Sequence, residues 1–158
     1  MRIALMTVLC VVACKGKGGS GGSGTTYKHP DPKFQIAYPA DLTVRKPKLE
    51  GDGGTLAINS DKSGDYRDIL FVWSKTGTPL DPELQWTRYG NEEDHTKTLE
   101  NGPLPGGKGK FIVHDRSGRT FIHAVMTDQG YGVLCMASWP TDKPDNSLRD
   151  ACKSLASY

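Results

Sequence analysis

The side chains best suited to chemistry here are four histidines and four cysteines. His114 and His123 flank Ser117-Gly118, a tight-turn dipeptide between two apolar runs. A two-residue turn there makes them diagonal neighbours on one sheet face, about 7–8 Å apart at the backbone. A slip of one residue sends them to opposite faces. With Asp115 nearby, the shared face is a weak transition-metal geometry. Polar residues near a hairpin end are the commoner outcome, and no metal is assigned. Ser117 sits in RSGR, not in a GxSxG elbow. Glu92, Glu93 and Asp94 form a charge run in a loop, and a solvated face explains them. GPLPGGKG, from Gly102 to Gly109, lacks the order and the following helix of a phosphate loop. No catalytic residue and no cofactor is expected.

Cys14 is a different case. Arg2 is a short positive region, and Ile3 to Ala13 is apolar but for Thr7. A run of about 11 residues suits a signal peptide and is too short for a membrane helix. Val11-Val12-Ala13-Cys14 resembles the lipobox of bacterial lipoproteins, with a small residue before the cysteine. That resemblance implies cleavage before Cys14, a thioether diacylglycerol on its sulfur and an acylated amino terminus. Two or three acyl chains anchor stably where one does not. Residues 1–13 are thus expected to be a signal peptide. Residues 14–26 are the lipidated cysteine and a Gly/Ser tether with a span of about 20 Å. Lys15, not Asp, follows Cys14, which resembles the outer-membrane sorting signal of enteric-type bacteria. The expected location is the cell envelope, with the domain facing the periplasm or the cell exterior and the outer membrane favoured. The lipid bilayer is then the first partner, through Cys14.

Removal of the leader leaves Cys135 and Cys152. An even pair in an oxidising compartment is a disulfide candidate; two buried free thiols are the alternative. Cys135 shares a strand face with Val133 and Ala137. Cys152 lies on the stripe Leu148, Ala151, Cys152, Leu155, one face of an amphipathic helix. Packing that helix on that strand brings the sulfurs together.

The elements that must hold these residues follow from pattern. Phe34 to Tyr38 alternates and stops at Pro39, as a strand does. Short strands are expected at Leu42–Val44 and Thr55–Asn59, with Gly51-Asp52-Gly53-Gly54 as a turn. Ile69 to Trp73 is continuously apolar, as a central strand covered on both faces would be. Asp81-Pro82-Glu83 starts a mid-chain helix carrying Trp86 and Tyr89, an aromatic pair that forms a possible contact patch. Residues 91–109 allow at most a brief strand near Thr96–Leu99. A three-strand meander then runs over Lys110–His114, Thr120–Thr127 and Tyr131–Trp139, with apolar residues on both faces. The C-terminal helix closes the chain, with Asp142, Asp145 and Asn146 as caps.

Residues 27–158 are therefore expected to be one α+β domain: a mostly antiparallel β-sheet with a mid-chain helix and a C-terminal helix. The opening FQIAYP, the helix after a buried strand, the meander and the closing ACKSL resemble the PsbP-like family. The resemblance implies an α/β/α sandwich and a non-enzymatic role in assembling or stabilising larger complexes. It carries over no metal or binding residues.

Hydrophobic residues make up 36% and charged residues 24%, which excludes global disorder. The formal net charge of +2 offers no dominant field for nucleic acid. The expected function is that of a membrane-anchored, non-enzymatic interaction or accessory module, with an envelope protein as partner. A small-ligand- or lipid-binding lipoprotein is the alternative, and a hydrolase the weakest reading.

Overall fold

The computed structural model describes residues 24–77 and 97–158. Cys14 and the leader lie outside the described residues, as do the helix expected from Asp81 and its Trp86 and Tyr89. Two antiparallel sheets and one α-helix make up the described residues. The small sheet is a hairpin of β1 (Gly24–Pro30) and β2 (Lys33–Pro39), with the short β11 (Ala156–Ser157) on the other edge of β2. The large sheet holds β3 (Leu42–Val44), β4 (Lys48–Glu50), β5 (Gly53–Ser60), β6 (Asp68–Lys75), β7 (Lys97–Pro103), β8 (Gly109–Arg116), β9 (Arg119–Asp128) and β10 (Tyr131–Pro140). Their order is β3-β5-β6-β10-β9-β8-β7, with β4 also on β5.

Turn chemistry fixes the register. Ser117 and Gly118 both have positive φ (52° and 77°), as do Gln129 and Gly130 (52° and 79°). Two positive φ values in a two-residue loop match the twist of a tight hairpin. Glycine supplies the second at no steric cost. β8, β9 and β10 therefore pair without slippage, Arg116 opposite Arg119 and Asp128 opposite Tyr131. Phe111, Val113, Ile122, Ala124, Met126, Val133, Cys135 and Ala137 all fall on one face, the front. There they join Phe34 and Ile36 of β2 and Ile58, Ile69, Phe71 and Trp73 in a single core. The stacked rings of Phe34 and Phe71, 5.5 Å apart, join the two sheets.

The helix α1 (Asn146–Lys153) lies on the same front face. Asp145 caps it, accepting from the backbone N–H of Ser147 (3.0 Å) and Leu148 (3.2 Å). Two first-turn donors are thereby satisfied. Leu148, Ala151 and Cys152 are buried on its inner side. Leu155 is buried too, although the helix ends at Lys153 and the chain turns into β11.

The structure extends the sequence reading at three places. β1 takes in Gly24, Thr25 and Thr26, residues read as tether, because they pair with Pro39, Tyr38 and Ala37. Gly53 and Gly54, read as part of a turn, belong to β5. Their reason is close packing: a Cβ on Gly53 would stand 2.2 Å from the Trp73 carbonyl oxygen, and one on Gly54 would stand 2.6 Å from the Trp73 ring. β7 runs on to Pro103, with a register shift between Thr98 and Glu100. That irregularity and the glycines beyond it hide its alternation.

The back face is less fully covered. Val125 and Leu134 are buried there, with Ile112 and Met136 half-buried against them. Leu70 and Val72 of β6 are half-buried, while Ile69, Phe71 and Trp73 are buried. Among the described residues, the central strand is thus buried on its front and half-buried on its back.

Candidate functional site

Three arrangements of chemical groups emerge from these elements. The first is the sulfur pair. β10 carries Cys135 on the front face between Val133 and Ala137, and α1 places Cys152 over it. The two form a disulfide with Cα atoms 5.6 Å apart, inside the range an unstrained bridge spans. Both residues are fully buried. Lys153 fastens the end of the helix by an ion pair to Glu100 of β7 (2.5 Å) and by a place over the Phe111 ring. This is a structural staple with no exposed thiol.

The second is the histidine pair on the back face. The two-residue turn at Ser117-Gly118 sets His114 opposite Phe121 and Ile112 opposite His123. The histidines are therefore diagonal neighbours on one face, with His114 Nε2 3.1 Å from His123 Nδ1. Both are buried, and His114 Nδ1 has no hydrogen-bond partner. The neutral tautomer with hydrogen on His114 Nε2 costs least, because it donates to His123 and leaves His114 Nδ1 a bare acceptor. Burial pushes both basicities down, that of His123 to about 4 with the neighbouring His114 adding to the effect. Asp115 does not join them: it lies on the opposite face and accepts from the Thr141 hydroxyl at 2.7 Å. Among the described residues no three His, Cys, Asp or Glu side chains converge on one point.

The third, which the sequence reading did not single out, is a cleft of about 550 Å³ beside the small sheet. The cross-strand row Leu49–Gly54–Trp73 lies on the front face, but the small sheet covers only its inner part. Trp73 is buried and Leu49, on the marginal strand β4, stands 78% exposed. The gap between them and the β1–β2 turn is the cleft. Pro30, Asp31 and Pro32 form one wall, Lys46, Pro47 and Leu49 the other. His29 lines it and is only 3% exposed. Its ring stacks on Phe34 (4.7 Å, 8°) and tilts against Trp73 (4.5 Å). Its Nδ1 lies 3.1 Å from the Pro32 carbonyl oxygen. A carbonyl only accepts, so Nδ1 carries the hydrogen and Nε2 a lone pair. Burial lowers the basicity of His29 against the opposing pulls of the Pro32 carbonyl and Asp31. The ring is neutral near pH 7 and presents an acceptor.

A fourth feature is a surface loop. Tyr66 is 92% exposed between β5 and β6. Its neighbour Arg67 grips Asp65 through Nε (3.1 Å) and a terminal nitrogen (2.9 Å), and also bonds Asp41. These contacts hold the Asp65 carboxyl well below the usual carboxylate range. The Ser60 N–H to Arg67 carbonyl bond closes the loop at its base.

No family model matches the sequence, and no curated protein matches it. The architecture is nonetheless assignable: it is PsbP-like, an α+β fold dominated by antiparallel sheet. Among solved structures, the solution structure of cyanobacterial PsbP (CyanoP) from Synechocystis sp. PCC 6803 shows this. It is 14% identical, with a TM-score of 0.58 over 94% of this chain and 99% of that one. A crystal structure from Bacteroides thetaiotaomicron VPI-5482 also matches, at 12% identity and a TM-score of 0.47, over 85% of this chain and 48% of that one.

Proposed function

We propose that this protein is a lipid-anchored, extracytoplasmic interaction module, non-enzymatic, that serves a protein complex of the cell envelope. The VVAC leader with its Gly/Ser tether supports the anchor, and the PsbP-like fold supports the accessory role. The expected third layer, a helix from Asp81, belongs to the same reading. The observation that carries it is Tyr66. Tyr66 is an almost fully exposed aromatic ring on a loop braced by an Arg67–Asp65–Asp41 network, so docking has to order only its side chain. Aromatic side chains of that kind anchor protein interfaces. A photo-crosslinking residue placed at position 66 in living cells tests this, with position 143 as an exposed control. The expected result is a discrete adduct from 66 and none from 143. Equal ladders from both, or no adduct from a folded and anchored protein, would overturn the reading. Cys14→Ser should abolish lipid labelling and move the protein to the soluble fraction.

A further inference from the structure

We infer that the cleft at His29 is a binding site for a small neutral alcohol or phenol with an apolar body. The inference depends neither on the lipid anchor nor on Tyr66. Three observations carry it. The volume, about 550 Å³, lies within the range of ligand pockets. The apolar part of the lining is Pro30, Pro32, Pro47, the exposed Leu49, the Tyr131 ring and buried Trp73. One polar group is built in at depth: His29, held by Phe34, Trp73 and the Pro32 carbonyl, with Nε2 given no partner by the described residues.

The chemistry of the occupant follows. A lone pair asks for a donor, which a hydroxyl supplies and an ether or a carboxylate does not. Asp52 on the rim is ion-paired to Lys75 (3.2 Å). Asp31 and Lys46 then leave one charge of each sign, so no net field selects an ion. A peptide strand added to the sheet margin is the competing occupant. Pro47 removes a donor from that margin, and Lys46 and Lys48 place charges along it, which are the usual means of blocking strand addition.

The test is an NMR titration of the protein with 2-naphthol, with its methyl ether 2-methoxynaphthalene and with 2-naphthoate. The expected result is saturable shifts of the His29 ring and the Trp73 indole with 2-naphthol. The ether and the carboxylate should bind about tenfold more weakly, the scale of one hydrogen bond. His29→Phe keeps a ring in the stack and should make naphthol and ether equivalent. Leu49→Asp changes an exposed wall residue and should weaken naphthol about tenfold with the spectrum otherwise intact. Equal affinity for naphthol and ether in the wild type, shifts that map elsewhere, or no saturable shift at all would overturn the inference. If His29→Phe does not fold, the ether comparison and Leu49→Asp still decide.

Discussion

The two faces of the large sheet are built from alternate residues of the same strands, yet they solve burial differently. The front takes Ile69, Phe71, Val133 and Cys135, covers them with β2 and α1, and locks the helix by Cys135–Cys152. The back takes His114 and His123 beside Val125 and Leu134, pairs one imidazole with the other and leaves His114 Nδ1 without a partner. Packing and a covalent staple hold most of the front independently of pH, with His29 at its margin as the exception. The back contains groups whose charged forms are excluded, so its stability depends on their staying neutral. The cleft lies where the cover of the front face ends.

The largest effect expected from breaking this contrast is on the front. Cys152→Ser should lower unfolding stability by about 2–4 kcal/mol, measured by urea denaturation of the soluble domain. α1 should be the first element to lose hydrogen-exchange protection. Export and lipid labelling should be unchanged.

Acid should act mainly on the back. The ordinary histidine value is 6.5, and His123 is lowered to about 4 and His114 lowered as well. The unfolded chain therefore binds more protons between these limits. Stability is fully present above about pH 6.5 and falls as pH drops towards 4, by on the order of 3 kcal/mol for His123. The carboxylates held down by Arg67, Arg45 and Lys108 lose their contribution only at lower pH. Urea midpoints from pH 7 to 4.5 read the histidine window. His29 titrates in the same direction, so the double variant His114→Leu, His123→Leu should flatten most of the slope but not all of it.

Gly54→Ala should cost about 1–3 kcal/mol, because its Cβ meets the Trp73 ring and the Lys48 carbonyl. Trp73 fluorescence should shift with it. The smallest effect expected is that of the double leucine variant at pH 7. Replacing both hydrogen-bonding partners by apolar groups is close to neutral, whereas His114→Leu alone leaves His123 Nδ1 without its donor. A large loss from the double variant would show that the pair does more than fill the face.

Much of this was legible in sequence because it depends on local rules. The X-Gly turns, the alternation from Lys110 to Trp139 and the Asp145 cap need only nearby residues. The helical stripe and the strand face then sufficed to bring Cys135 and Cys152 together. The shared face of His114 and His123 was conditional on a two-residue turn, and the turn residues decide it. What stayed hidden depends on distant partners. β1 starts in Gly-Thr-Thr and has the composition of a linker; only its pairing with β2 makes it a strand. The pattern Tyr27, His29, Phe34, Ile36 around Asp31-Pro32 was the available signal of that hairpin, and with it of a buried His29. Nothing local announces that Gly53 and Gly54 serve Trp73, or that Leu49 faces a gap. Trp86 and Tyr89 lie outside the described residues, and the exposed aromatic that the structure brings forward is Tyr66.

The measurement that bears most directly on the proposal of an exported, lipid-anchored module with a disulfide staple is intact and peptide mass spectrometry of the native chain. The sample should be extracted from membranes under non-reducing, thiol-blocking conditions. The expected spectrum shows a chain beginning at Cys14 with a diacylglyceryl mass, and a single linked peptide pair containing Cys135 and Cys152. An unprocessed leader with an unmodified Cys14, together with two alkylated thiols at Cys135 and Cys152, would contradict it.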